Sequence, residues 1–328
     1  MHGGCFWKGV LRLSRDLSVF VEAVPDALSS ATSTPWLEKL RIGLVAQSST
    51  DMSSDDASRG EALERTLQAL SEAFYPGKIE LLDGLDIDAL KSLIEKRHID
   101  AFISSSGFYW QMLHGSGVRA IATRSPPYAV NPNASAAAVV LVPEGSGIEE
   151  FSDLKGKRIG ASRPNAFTTR ALPLAALAAE MGLLPDESGI QWTYVHKTGG
   201  TALLWLLDVG RVDAVFLRAC WLEENNVQIE GKWRVLEPFE DSLACRHSTK
   251  SVPGMTLAVT DAVSPDKAAI IARTVFTMKD EHEAPIWGGG CDGFSGRRQR
   301  LSNPSAFFWE EVSFGEKLNI LGLQSLKS

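Results

Sequence analysis

Phe151 to Pro173 reads FSDLKGKRIGASRPNAFTTRALP, and its reading decides the fold. Asp153-Leu154-Lys155-Gly156-Lys157 closes a short turn. Arg158-Ile159-Gly160-Ala161 is a short apolar run suited to a buried parallel strand. Ser162 to Phe167 is a polar loop holding one proline. Thr168 and Thr169 then stand where a helix begins, ahead of Leu172, Leu174, Ala175, Leu177 and Ala178. A threonine at that point caps the helix. A helix start also leaves backbone N–H groups free and carries partial positive charge, which suits an anion. The competing reading makes Thr168 or Thr169 a cap and nothing more.

Outward from this stretch the same alternation repeats. Ala137–Val142 precedes it as a strand. Ile190–Val195 follows as a strand, Thr201–Leu207 as a helix and Val212–Leu217 as a strand. An α/β unit therefore spans about 135–243. An earlier unit starts at Leu40. Its strands are 40–46, 78–82, 100–103 and 118–123, and its helices are 60–74, 86–96 and 108–114. Gln47 to Arg59 reads as a loop, and Ser104 to Gly107 as a turn. This order calls for parallel sheets with helices on both faces. Arg124 to Ser135 carries Pro126, Pro127, Pro132, Asn131 and Asn133 and reads as a crossover. After residue 243 come a strand at 256–260 and a helix at 265–278. The expected division is lobe one at 40–134 plus 244–328, and lobe two at 135–243. Residues 1–36 read as an extension or a degenerate leader, because the apolar piece Leu17–Val24 is interrupted by Glu22.

Two such lobes leave a ligand cleft between them. In open parallel sheets, ligands sit at the carboxyl ends of strands. Ser104–Gly107, Ser162–Thr169, Lys197–Thr201 and Arg218 all follow strands, so all face one cleft. That convergence favours the anion reading over the plain cap.

Composition narrows the partners. The net charge of −7, from 33 Lys+Arg against 40 Asp+Glu, disfavours nucleic acid or an anionic membrane. No apolar run is long enough to span a bilayer. No Ser-His-Asp arrangement, HExxH or Walker loop occurs, so nothing calls for a metal or a cofactor, and an enzyme on the same scaffold is only the second alternative to binding. The four cysteines, Cys5, Cys220, Cys245 and Cys291, lack the CxxC spacing of a zinc site.

The candidate ligand residues each have a plainer alternative. Arg218 ends a buried strand, where a guanidinium needs a partner. Its fork suits an oxyanion, and the alternative is an ion pair with Glu223. Ser105 and Ser106 offer hydroxyls or form a plain turn. Tyr109 donates into the cleft or is half-buried on its helix. Gly200 and Thr201 begin a helix with free N–H groups. His247, Ser248 and Thr249 line the return crossover or support it. Cys220 and Cys245 lie near that crossover as buried thiols or as a disulfide, which requires an oxidising compartment.

Five stretches together carry a family resemblance. They are Asp100–Tyr109 (DAFISSSGFY), Ala122-Thr123, Asp153–Arg158 (DLKGKR), Asp213–Glu223 (DAVFLRACWLE) and Cys245–Thr249 (CRHST). Over about 40–285 the chain resembles the periplasmic phosphate/phosphonate-binding protein family. It is closer still to the sensor modules of tetrathionate-sensor-type histidine kinases. The resemblance implies an α/β, two-lobed, type II periplasmic-binding-protein-like fold. It implies a small anionic ligand and a periplasmic setting. The implied partner is an ABC transporter permease or a membrane sensor kinase. Phe167 fits the sensor loop, whereas Thr168 and Thr169 stand where that loop has glycines. The sensor resemblance also adds a third reading of Cys220 and Cys245, a redox-reactive pair facing a sulfur compound.

Overall fold

The computed structural model describes residues 39–45, 54–113, 116–181, 188–195, 199–280 and 282–289. The expectations for residues 1–36, for Lys197 and for the segment after 289 lie outside the described residues. Two sheets form, each the centre of one lobe. The first contains β1 (Lys39–Val45), β2 (Lys78–Leu85), β3 (Ala101–Ser105), β4 (Arg119–Arg124), β10 (Met255–Val259) and β11 (Trp287–Gly288), in the order β11-β4-β10-β3-β1-β2. The second contains β5 (Ala138–Pro143), β6 (Arg158–Ala161), β7 (Gln191–Tyr194), β8 (Ala214–Arg218) and β9 (Trp233–Val235), in the order β7-β6-β8-β5-β9.

The expectation of parallel sheets holds only in part. β1 runs parallel to β2 and β3, and β6 runs parallel to β7 and β8. β10 is antiparallel to both β3 and β4, and β5 is antiparallel to both β8 and β9. A parallel neighbour needs a helical crossover to bring the chain back to the same end. β5 and β10 instead arrive directly from the other sheet, so they run against their neighbours.

Residues alternate across each strand, so each sheet supports two cores. On one face of the first sheet, Leu40, Ile42 and Ile103 pack with Leu70 of α1 (Ser54–Ala73), with Phe74 just after it, and with Ile271 and Val275 of α6 (Pro265–Phe276). On the other, Phe102 meets Leu90 and Ile94 of α2 (Ile87–Glu95) and Phe108 and Met112 of α3 (Ser106–Leu113). In the second sheet, Val139, Leu141, Val215 and Leu217 face α5 (Gly199–Asp208). Val140, Ile159 and Phe216 face α4 (Leu172–Met181). Burial of this kind contributes roughly 25 cal/mol per Å² of apolar surface.

Local chemistry sets the element ends. Asp86 accepts from Ala89 N–H at 2.7 Å and starts α2, and Ser264 accepts from Lys267 N–H and starts α6 ahead of Pro265. α1 begins at Ser54 rather than Gly60, so the loop expected up to Arg59 is partly helix. Ser and Asp, taken there as loop formers, are also the residues that favour a helix N-terminus. Ser104 and Ser105 finish β3 and Ser106-Gly107 open α3, so no separate turn intervenes.

Each lobe repeats one polar staple. Asp100, just before β3, accepts from Arg41 N–H at 2.7 Å and from its guanidinium at 3.1 Å. Asp213, just before β8, accepts from Arg158 N–H at 2.9 Å and from its guanidinium at 2.6 Å. The Arg158 side chain, above all, holds the Asp213 carboxyl below its ordinary range. A depressed folded-state value stabilises above the unfolded value and is lost as pH falls through the folded one. Asp213→Asn is therefore expected to lower the melting midpoint at pH 7. The gap should close below about pH 4, as the wild-type carboxylate protonates. Melting curves at pH 7, 5 and 3 check this. A gap that stays constant would contradict the ion-pair account.

Candidate functional site

Two crossovers join the sheets, and they run side by side. Ala136 and Val252 form an antiparallel bridge, with Val252 N–H donating to Ala136 O at 2.8 Å. Between the sheets lies a cavity of ≈ 210 Å³. The first lobe contributes strand ends and helix starts: Val45, Ser104, Ser105, Arg124, Ile87 and Phe108. The second contributes Ser162, Arg163, Asn165, Phe167, Thr168, Thr169 and Arg218. The crossovers add Tyr128 and Ser135–Ala137. Strand carboxyl ends from both sheets thus converge, as expected of open α/β sheets.

Three arginines line this cavity, and no Asp or Glu does among the described residues. The chain as a whole carries net charge −7. The charged side chains that line the cavity are thus all basic, against the overall balance.

Arg218 ends β8 with only 9% of its surface exposed. The expected ion pair with Glu223 is corrected. Arg218 Nη1 donates to Glu224 Oε1 at 3.0 Å, and Nη2 donates to Glu224 Oε2. Glu223 instead accepts from Arg246 Nε at 2.9 Å. The cause is Cys220, which adopts the left-handed conformation at φ 68°. That turn reverses the chain and brings position 224, not 223, back to the guanidinium.

The loop after β6 departs from the capping expectation. Ala166, not a threonine, is the N-cap, and no side chain caps the helix. Phe167–Ala171 forms a π turn, whose Ala171 N–H donates to Ala166 O at 3.1 Å. In an α-helix the residue before Ala171 would make that first bond, so the wider turn adds one amide to those preceding the ladder. The amides of Phe167, Thr168, Thr169 and Arg170 lie in that position. Thr169 Oγ1 is 2.5 Å from Ser162 Oγ, so the hydroxyl ties the turn to β6. Thr168 lines the cavity.

Ser105, Phe167, Thr168, Thr169 and Arg218 are brought together on one cavity. The other expected residues are placed elsewhere. Ser106 is buried and donates to Pro253 O at 2.5 Å, fastening α3 to the return crossover. Tyr109 sits in the core, 1% exposed, where its hydroxyl accepts from Ala120 N–H at 3.2 Å. Burial pushes its phenol up to about 12, so it stays neutral. Gly200 lies beneath the Trp221 ring, which a Cβ would meet at 2.4 Å. Thr201 is the third residue of α5 and is exposed, so it caps nothing.

His247, Ser248 and Thr249 hold the return segment instead of lining the cavity. Ser248 Oγ accepts from Val140 N–H at 3.0 Å and Thr249 Oγ1 accepts from Ala138 N–H at 2.9 Å. His247 Nδ1 lies 2.6 Å from Cys245 O and its Nε2 lies 3.3 Å from Asp241. Cys220 and Cys245 form a disulfide, 1% and 7% exposed, packed with Ala137, Ala219 and Leu243. The reading as free thiols is therefore corrected, and neither cysteine lines the cavity.

Sequence reasoning missed Arg124, Arg163, Ser162, Asn165 and Tyr128. Arg163 and Asn165 lie inside the loop singled out for anions, so their side chains were legible candidates there. Arg124 closes β4 immediately before the proline-rich crossover. No group of three or more His, Cys, Asp or Glu suited to a metal occurs among the described residues. None of their helices is long and apolar enough to cross a membrane.

Comparison with known proteins agrees with this geometry. Residues 53–296 match the family model described as "ABC transporter, phosphonate, periplasmic substrate-binding protein". The chain is 28% identical over 253 residues to the tetrathionate sensor histidine kinase TtrS of Salmonella typhimurium. That match covers 74% of this chain and 40% of the kinase, so the chain spans two fifths of that relative. XAC2383 from Xanthomonas citri, bound to chloride ion, has a similar structure. Its TM-score is 0.60 at 13% identity, covering 87% of this chain and 98% of that one. PhnD1 from Prochlorococcus marinus (MIT 9301), in complex with methylphosphonate, gives 0.53 at 13% identity, covering 87% and 99%. At these identities the structural likeness establishes the fold alone.

Proposed function

We propose, from the premise that this chain belongs to the family of periplasmic substrate-binding proteins of phosphonate ABC transporters, that its cleft captures a small phosphate- or phosphonate-like oxyanion. One observation carries the reading: three arginines and the start of a π turn face one cavity that no described carboxylate lines. Guanidinium forks pair with oxyanions by parallel N–H···O bonds. Amides ahead of a helix ladder add donors and a favourable dipole. Arg124 approaches from the first lobe and Arg163 and Arg218 from the second. An anion between them is held from both lobes and draws the lobes together by hinge closure about the crossovers. No group with a catalytic task is assigned here, because the role is binding.

The proposed lobes are 40–134 plus 244–328, and 135–243. An extracytoplasmic setting is supported by the family and by the Cys220–Cys245 disulfide. The loaded protein delivers its ligand to an ABC transporter permease. A second reading rests on the tetrathionate-sensor relative. In it the ligand is a sulfur oxyanion and closure signals to a membrane histidine kinase.

A thermal-shift screen tests the proposal with phosphate, methylphosphonate, 2-aminoethylphosphonate, sulfate, thiosulfate and tetrathionate. Binding to the folded state alone stabilises by RT ln(1+[L]/Kd), about 2.7 kcal/mol at a hundredfold excess over Kd. A rise with a phosphorus anion supports the transport reading, and a rise with a sulfur anion supports the sensing one. No rise with any of the six overturns the oxyanion reading.

A further inference from the structure

Phe167 opens the anion-facing turn of the second lobe, yet its ring reaches the first. It lies on the backbone of Gly107 in α3. A Cβ at position 107 would stand 2.3 Å from Phe167 Cδ2 and 2.8 Å from Cγ and Cε2. Gly107 is not among the positive-φ residues, so the approach of the ring, not the backbone, demands glycine. The seat itself is fixed. Ser106, the preceding residue, donates its hydroxyl to Pro253 O and its N–H to Gly254 O at 3.0 Å. Phe167 also packs against the cluster of Ala138, Leu172 and Val252 beside the crossovers. One side chain therefore joins the opposite lobe to the apolar cluster formed beside the crossovers by β5, the base of α4 and the return segment.

We propose that Phe167 is a positioning residue: its ring, seated on Gly107, sets the register of the 167–170 amides against the first lobe. Movement of the lobes then repositions those amides, and an anion held by them favours the seated arrangement. This inference rests on the oxyanion reading for its ligand but not for its contact.

The test is a double-mutant cycle of Gly107→Ala, Phe167→Ala and the pair. Calorimetry reads affinity for phosphate, methylphosphonate and tetrathionate. Small-angle scattering and melting read the ligand-free protein. A methyl at 107 displaces the ring, so G107A is expected to bind about tenfold more weakly and to expand. F167A loses about as much. The pair is expected to bind no more weakly than F167A alone, since the clashing ring is gone. A merely structural role lowers the midpoint without that non-additivity in affinity. Parent-like binding by G107A, or an equal G107A loss with and without the ring, overturns the proposal. If the parent binds none of the anions, the oxyanion reading falls. The radius and midpoint cycle then still decides the contact: non-additive effects support it and additive ones overturn it.

Discussion

Arg218→Ala is expected to weaken oxyanion binding about a hundredfold or more, equivalent to roughly 3 kcal/mol, and to lower stability at the same time. The two effects have different origins. Affinity falls because the most buried of the three cavity arginines no longer reaches the anion. Stability falls because Glu224, 14% exposed at its side chain, keeps its charge without its partner. Removing one member of a buried pair costs about 3–5 kcal/mol. Glu224→Gln in the Arg218→Ala background separates them. It removes the stranded charge, so the midpoint should recover while the affinity does not. Calorimetry and melting on the three variants read both quantities. Affinity that recovers together with the midpoint would mean that Arg218 acts on the fold and not on the ligand.

Loss of the Cys220–Cys245 disulfide is expected to destabilise the protein by about 3 kcal/mol, or on the order of 10 °C. The bond closes a loop with a sequence separation of 25. Chain-entropy arguments place most of its effect in the unfolded state. A second component sits in the native state. Cys220 holds φ 68°, where non-glycine residues are disfavoured by about 1 kcal/mol or more. Cys220→Gly with Cys245→Ser should therefore melt higher than Cys220→Ala with Cys245→Ser. Reductant should lower the midpoint of the parent and leave both double variants unchanged. A parent insensitive to reductant, or alanine and glycine variants that melt together, would contradict this picture. Ala219, next to Cys220, lines the cavity. The bond thus steadies the wall behind Arg218 without facing the ligand itself.

The lobes were legible in the sequence because buried strands are uninterrupted apolar runs, such as Val139 to Val142 and Ala214 to Leu217. The turn at Asp153–Lys157 and the loop after Ala161 were legible from glycine, proline and polar residues. Strand direction was not, because side-chain alternation is the same for both directions. The antiparallel setting of β5 and β10 follows from how the chain crosses between sheets, which no local pattern encodes. The site was legible where one loop carried it: Phe167, Thr168 and Thr169 do reach the cavity. The π turn was not, since apolar spacing does not tell a first bond that spans five residues from one that spans four. Arg124 and Arg163 look like any surface arginines until folding brings strand ends from two sheets together. The Glu224 partner of Arg218 was hidden by the left-handed Cys220, which shifts the returning residue by one. Tyr109 and His247 stood in stretches that carry the family resemblance, yet their side chains turn into the interior.

The most direct test of capture between the lobes is a pair of anomalous difference maps, from crystals soaked in arsenate and in selenate. These ions stand in for phosphate and sulfate and can be located without ambiguity. The account predicts a peak, from at least one of them, within about 4 Å of the Arg218 guanidinium and of the amides from Phe167 to Arg170. Peaks confined to the outer surface, with the cleft empty of both ions, would contradict it.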